Sequence, residues 1–308
     1  MKSIVTLTVN PAIDGSCDAQ QVRPTHKVRT TNMRYDPGGG GINVARVVQR
    51  MGGNVRAIYL AGGATGGVLD SLLDRDGIAR KRIDIADHTR ISQAVHEKAT
   101  GLEYRFVPEG PLVSDAEWQV CLDAMAKVEC DWLVLSGSLP RGVPADFLAR
   151  IVKAMPSRDC RIILDTSGPA LRTTLEGGGI FLVKPSRGEL EQYTGQPLTG
   201  DDALIDAARQ IVHAGQARYV AVTLGYLGAI LVSQLGELRL PVLEVEVKSA
   251  VGAGDSFLGA MTCALAADQD IEPAFRLGLA AGTAAVMSPG TGLCQPADVQ
   301  RLLAMIKP

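Results

Sequence analysis

Ala250-Val251-Gly252-Ala253-Gly254-Asp255-Ser256 is the stretch on which the reading of this chain turns. It follows a strand-like run over 241–247 and opens an apolar, helix-like run over 256–267. A helix N-terminus leaves backbone N–H groups unpaired and carries partial positive charge, so it attracts anions. Glycines let those N–H groups approach a phosphate with no Cβ in the way. A carboxylate in the same place repels a bare phosphate, so Asp255 needs its own reason. Either it caps the helix, or it takes the proton from a hydroxyl that attacks a phosphoryl group.

A second glycine cluster lies far upstream, in Asp36-Pro37-Gly38-Gly39-Gly40-Gly41-Ile42-Asn43-Val44-Ala45-Arg46. Four consecutive glycines carry a large entropic cost, and they run into a helix with Asn43 on its first turn. The alternative is a flexible hinge, though flexible linkers rarely run into an apolar helix. The pattern suits a polyhydroxylated ligand held by backbone N–H groups and one amide. Asp14 ends the run Asn10-Pro11-Ala12-Ile13-Asp14, where it is either an Asx-turn residue or an acceptor for sugar hydroxyls.

Between these clusters, short β-rich runs alternate with amphipathic ones. Strands are expected over 4–9, 55–60, 132–136, 161–165, 180–183, 219–223 and 229–232. Helices are expected over 42–51, 67–75, 115–128, 145–154, 189–193 and 201–214. Such alternation implies an α/β fold, a doubly wound and mostly parallel sheet with helices on both faces. Ligands then bind beyond the carboxyl ends of the strands, where Ser136-Gly137-Ser138, Asp165, Lys184 and Thr223-Leu224-Gly225 fall. Two half-polar segments, about 15–35 and 89–107, break the pattern. The second reads as a hairpin of 91–97 and 103–107, and together they suggest a small β-sheet lid on a single domain spanning 1–308. A sheet this small is marginal alone, so pairing with a second copy is expected. Lys27, Arg29, Arg90 and Arg105 lie in these segments, each a solvated charge or one part of a phosphate clamp.

Composition narrows the classes. A net charge of −2 gives no general affinity for nucleic acid or anionic membrane. No apolar run reaches the roughly 18–20 residues that cross a bilayer. The six cysteines (Cys17, Cys121, Cys130, Cys160, Cys263, Cys294) contain no C-x-x-C pair, which disfavours a zinc site or disulfide framework and fits a reducing cytoplasm.

Taken together, the Gly38–Arg46 and Ala250–Ser256 signatures and Leu7-Thr8-Val9-Asn10-Pro11-Ala12-Ile13-Asp14 resemble the ribokinase-like (PfkB) sugar kinases along essentially the whole chain. The form Gly-Gly-Gly-Gly-Ile-Asn-Val-Ala-Arg is similar to the branch acting on fructose 6-phosphate. Branches acting on fructose 1-phosphate or tagatose 6-phosphate usually carry a Lys within this run. The resemblance implies a homodimer formed through lid sheets, with ATP, Mg²⁺ and K⁺. It implies Asp255 as base and the backbone N–H groups of Gly252, Ala253 and Gly254 as anion hole. Asp14, Gly39, Asn43 and Ser138 would hold the sugar, and Lys27, Arg29, Arg90 and Arg105 its phosphate, some from the neighbouring lid. Lys184, Ser186, Glu189, Thr223, Gly225 and Gly228 would line the ATP side, with Glu189 orienting Mg²⁺ through water. Ser249, Val251, Ala285, Ser288 and Gly290 match positions that bind K⁺.

Two departures stand out. The family's Asn-x-x-Glu is Ser186-Arg187-Gly188-Glu189 here, and the usual Thr before Val-Gly-Ala-Gly-Asp is Ala250. The first motivates a second class, a sugar-phosphate sensor without turnover. A Rossmann dinucleotide enzyme is a third, opposed by glycines that do not follow the first strand.

Overall fold

The computed structural model describes residues 2–157 and 159–306. In chain order it runs β1 (Ile4–Thr8), β2 (Ala12–Ala19), β3 (Thr30–Gly38), α1 (Gly40–Arg50), β4 (Val55–Gly62), α2 (Gly63–Arg75), β5 (Arg80–Ile85), β6 (Arg90–Glu97) and β7 (Glu103–Phe106). It continues through α3 (Asp115–Met125), β8 (Trp132–Ser136), α4 (Phe147–Ala154), β9 (Arg161–Asp165), α5 (Gly168–Gly177), β10 (Ile180–Val183), α6 (Arg187–Thr194), α7 (Gly200–His213) and β11 (Ala217–Thr223). β12 (Ala229–Ser233), β13 (Gly236–Leu240), α8 (Ala253–Ala266), α9 (Ile271–Val286) and α10 (Pro296–Leu303) complete it.

Nine strands form the main sheet in the order β13-β12-β11-β10-β9-β8-β1-β4-β5. All neighbours are parallel except β11–β12 and β12–β13. Side chains alternate between two apolar layers, as the two-residue period of a strand requires. Ile4, Tyr59, Trp132 and Leu182 face α1, α8 and α9, while Leu7, Ile58, Leu133 and Val220 face the layer of α4, α5 and α7. The chain passes from β1 to β4 on one side and later to β8 on the other. That reversal opens a crevice at the carboxyl ends of β1 and β8.

The second sheet has the order β3-β2-β6-β7. It begins at Ala12 and extends to Gly38, so it is rooted directly in both sequence motifs and is longer than the expected 15–35 segment. The hairpin of β6 and β7 lies as expected, while β2 and β6 pair in parallel. The segment 241–247 corrects the sequence reading. Its Val-Leu-Glu-Val-Glu-Val alternation fits a strand but forms none, because the segment leaves the sheet edge after β13. Leu243 and Val245 pack on the core instead of pairing. Elements α5, α9, α10, β5 and β13 carry no strong sequence signal. The alanine-rich α9 is buried along most of its length, so it shows little amphipathic contrast.

α8 is also buried on nearly every side, between α1 and α9. A Cβ at Gly259 would lie 2.7 Å from Val47 Cβ, so glycine there lets α1 and α8 approach closely. This contact sets the two glycine motifs side by side. Among the described residues no helix is long and apolar enough to cross a membrane.

Candidate active site

The two motifs meet in a polar cleft of about 420 Å³ between the main sheet and the small sheet. Gly252 is left-handed, with φ 76°, and turns the chain so that α8 begins at Ala253 with Asp255 in its first turn. Gly39 has φ 105°, a conformation L side chains rarely adopt, and a Cβ there would sit 2.9 Å from Pro11 Cα. At Gly40 a Cβ would overlap Ser136 Oγ, which lets the start of α1 lie against the end of β8. Asn43 is thereby aimed across the cleft, and its Nδ2 donates to Asp255 Oδ2 at 2.8 Å.

Asp255 sits deep among protein atoms yet keeps some surface open to the cleft. Burial pushes its carboxyl up to about 6, and the nearby Asp165 and Asp14 add to the rise. The Asn43 hydrogen bond and Lys184 act against it. Burial likewise raises Asp14, only partly countered by Arg90, Arg46 and Arg105. Lys184 is buried and pairs with Asp165 at 3.0 Å. Burial alone would depress its ammonium, but Asp165, then Glu189 and Asp255, more than offset that and hold it charged. Ser136 Oγ donates to the other oxygen of Asp165 at 3.2 Å.

Ser186 is the N-cap of α6: its Oγ accepts from the Glu189 N–H at 3.3 Å, while the Glu189 carboxylate accepts from the Ser186 N–H at 2.7 Å. The pair is a capping box, so Ser in place of Asn keeps the helix start intact. Ser186, Thr223 and Gly254 line both this cleft and an adjoining apolar pocket of about 700 Å³. Gly225 and Gly228 line that pocket, together with Val242, Val245 and Phe257.

Of the expected residues, Asp14, Gly39, Asn43, Arg90, Arg105, Ser138, Lys184, Ser186, Glu189, Thr223, Val251, Gly252, Gly254 and Asp255 all line the polar cleft. Ala253 lines the apolar pocket beside it. Arg90 is held by the carbonyl oxygens of Asn10 and Pro108, both at 3.0 Å. Lys27 and Arg29 are not brought there: they are exposed in the loop between β2 and β3. Ser249 is buried, with its N–H and that of Lys248 bonded to Val286 O. This draws the loop before α8 against the loop after α9, which holds Ser288 and Gly290 and follows Ala285. Asp165, Thr166, Ser136, Gln93 and Thr291 also line the cleft. Ser136 and Asp165 end β8 and β9, where the sequence already placed ligand contacts, and Thr166 follows β9 by the same signal. Gln93 and Thr291 carry none.

The pfkB family carbohydrate kinase model matches residues 8–298. The chain belongs to that family. It is 40% identical to the ATP-dependent 6-phosphofructokinase isozyme 2 of Mycobacterium tuberculosis, over 98% of this chain and 89% of the relative. Phosphofructokinase-2 of Escherichia coli superposes with a TM-score of 0.95 in its complex with potassium, at 40% identity and 99% coverage of both chains. The same protein with fructose-6-phosphate superposes at 0.93, with 39% identity and 99% of both chains covered. The 1-phosphofructokinase of Bacillus subtilis is 30% identical over 99% of this chain and 98% of its own.

Proposed function

We propose that this pfkB-family kinase transfers the γ-phosphoryl group of ATP to the C1 hydroxyl of fructose 6-phosphate, giving fructose 1,6-bisphosphate. The observation that carries the reading is the placement of Asp255. It stands between the sugar-sized polar cleft and the backbone turn Gly252-Ala253-Gly254, already hydrogen-bonded to Asn43.

In this reading Asp14, Gly39, Asn43 and Ser138 hold sugar hydroxyls, and Arg90 and Arg105 take the 6-phosphate. Asp255 accepts the C1 proton as the hydroxyl oxygen attacks the γ-phosphorus and the bond to the β-phosphate oxygen breaks. The N–H groups of Gly252, Ala253 and Gly254 stabilise the transferring group, where preorganised donors act most strongly. Lys184, beside Gly254 and held charged by Asp165, neutralises phosphate charge. The adenine fills the apolar pocket past Thr223, Gly225 and Gly228. The small sheet serves as a lid that excludes water from the reaction.

Two cations fit the residues present. Mg²⁺, when bound, would supply charge neutralisation of the nucleotide phosphates, and Glu189, which faces the cleft with Oε2 taken by Ser186, would hold it through water. K⁺ suits the oxygen-rich junction of Ser249, Val251, Ala285, Ser288 and Gly290, where the two loops are hydrogen-bonded together and Glu103 adds a carboxylate beside Ser249. We further propose that two copies pair through their lid sheets, which would let Lys27 and Arg29 reach a neighbour's cleft.

A coupled assay with Mg²⁺-ATP across fructose 6-phosphate, fructose 1-phosphate and tagatose 6-phosphate tests the reading. The highest kcat/KM is expected for fructose 6-phosphate and rises with added K⁺. A higher value for either other sugar overturns the substrate; no turnover of any of them leaves the sensor class.

A further inference from the structure

We propose that Arg46, outside the cleft lining, is a positioning residue that fixes which end of the Asn43 amide faces Asp255. The proposal rests on the reading of Asp255 as the base. Arg46 lies one turn after Asn43 on α1 and is only 3% exposed. Its Nε donates to Asp76 Oδ2 at 2.8 Å, and its Nη1 donates to Pro37 O at 3.0 Å and to Asn43 Oδ1 at 3.3 Å. Its Nη2 points at Asp36 Oδ1, 3.5 Å away. Asp36 is held in turn by Thr291 Oγ1 at 2.7 Å.

A guanidinium only donates hydrogen bonds and an ionised carboxylate only accepts them. Asn43 stands between the two. Its carbonyl must therefore face Arg46, which leaves the amide N–H for Asp255. The flipped amide would set N–H against guanidinium and oxygen against carboxylate, two repulsive contacts in a poorly solvated place. With Oδ2 of Asp255 so occupied, Oδ1 is the oxygen left to accept the substrate proton. The anchor reaches three elements: Asp76 after α2, Asp36 on β3, and the loop carrying Thr291. Lys is not equivalent to Arg here, since one ammonium cannot bond Asp76, Pro37 and Asn43 in the planar geometry of a guanidinium.

The charged groups facing Asp255 are Asp165 at the end of β9, Lys184 after β10 and Asp14 on β2. Arg46 bears on one of them, Asp14, through its positive charge, which Arg46→Lys retains. The test compares Arg46→Lys, Asn43→Ala and the double variant, with folding checked by circular dichroism and thermal melting. In wild-type background Arg46→Lys is expected to lower kcat by about tenfold or more, with KM for ATP within about twofold. In the Asn43→Ala background the same change is expected to cost less than about twofold, as coupled residues require. Multiplicative losses overturn the proposal. A second readout needs no sugar turnover: the Asn43 side-chain amide resonance, followed against pH, reports Asp255 ionisation. Its midpoint is expected to rise in Arg46→Lys, and an unchanged midpoint in a folded variant overturns the idea. An inactive wild-type enzyme with the shifted midpoint would sink the kinase reading and leave the Arg46 assignment standing.

Discussion

Asp255 shows how a single residue can oppose stability and serve chemistry. Its carboxyl rises from 3.8 to about 6 because burial penalises the charge and Asp165 and Asp14 repel it. A base with that value is ionised in neutral solution and accepts a proton more readily than an ordinary Asp. The rate should therefore fall as pH drops through about 6, because protonation removes the base. A kcat/KM profile checks this; a flat profile from pH 5 to 8 would exclude Asp255 from the rate. For folding the sign is opposite. A raised carboxylate contributes stability while protonated and loses it as pH rises through the folded value. The two-unit shift corresponds to on the order of 2–3 kcal/mol of unfavourable charge burial at neutral pH. Asp255→Asn should accordingly abolish turnover, by about a thousandfold or more, while raising the melting temperature at pH 8 by roughly a few degrees. A destabilised variant would show that the carboxylate is a structural partner and not a strained one.

At the scale of elements, the start of α1 is set by what its glycines touch. Gly40 faces Ser136 Oγ with no room for a Cβ, and a Cβ at Gly41 would be 2.6 Å from Thr8 Oγ1. α1 is therefore pressed onto the ends of β1 and β8. Gly40→Ala should push α1 away from Ser136, displace Asn43 and cost about 1–3 kcal/mol of stability. Its sugar-phosphate KM should rise by about tenfold or more, with ATP affinity held within about twofold. Equilibrium denaturation and steady-state kinetics measure both; an unchanged KM would show that the glycine run serves packing alone. α6 carries a second lesson. Ser186 departs from the family's Asn, and the capping box with Glu189 explains how the helix tolerates it.

The whole molecule leaves one face unpaired. In the small sheet Asp14, Ser92, Ala94 and Arg105 face the cleft. The alternate positions, Tyr35, Ile91 and Phe106, with Met33 at the bulge in β3, are between 44% and 57% exposed. An apolar face on a four-stranded sheet is what a second copy would cover. On the proposed pairing of two copies through this face, Tyr35→Asp with Phe106→Asp should yield a monomer in sedimentation equilibrium. The sugar-phosphate KM should rise with it, if Lys27 and Arg29 act across the interface. An unchanged mass would move the interface elsewhere.

How much of this was legible in sequence follows from which forces are local. Helix starts, glycine turns and the alternation of strand and helix depend on neighbours within a few residues. So seven of the nine strands of the main sheet, the α/β class, the hairpin of β6 and β7 and the two halves of the cleft were all readable from residue patterns. The run 241–247 misled because its two-residue alternation fits a strand equally well when it has no partner. α9 was missed because a helix buried along most of its length has little polar face to mark it. Lys27 and Arg29 were grouped with Arg90 and Arg105 by segment, yet only the latter pair reaches the cleft within one chain. The sequence by itself determined that an anion-binding turn with an acidic residue and a glycine-rich helix start exist, because both are properties of local backbone and charge. Only the tertiary structure decided that Asn43 meets Asp255 and that Arg46 holds Asn43. Residues some two hundred positions apart become neighbours only when α1 and α8 close on each other at Gly259, and buried charge acquires its strength only there.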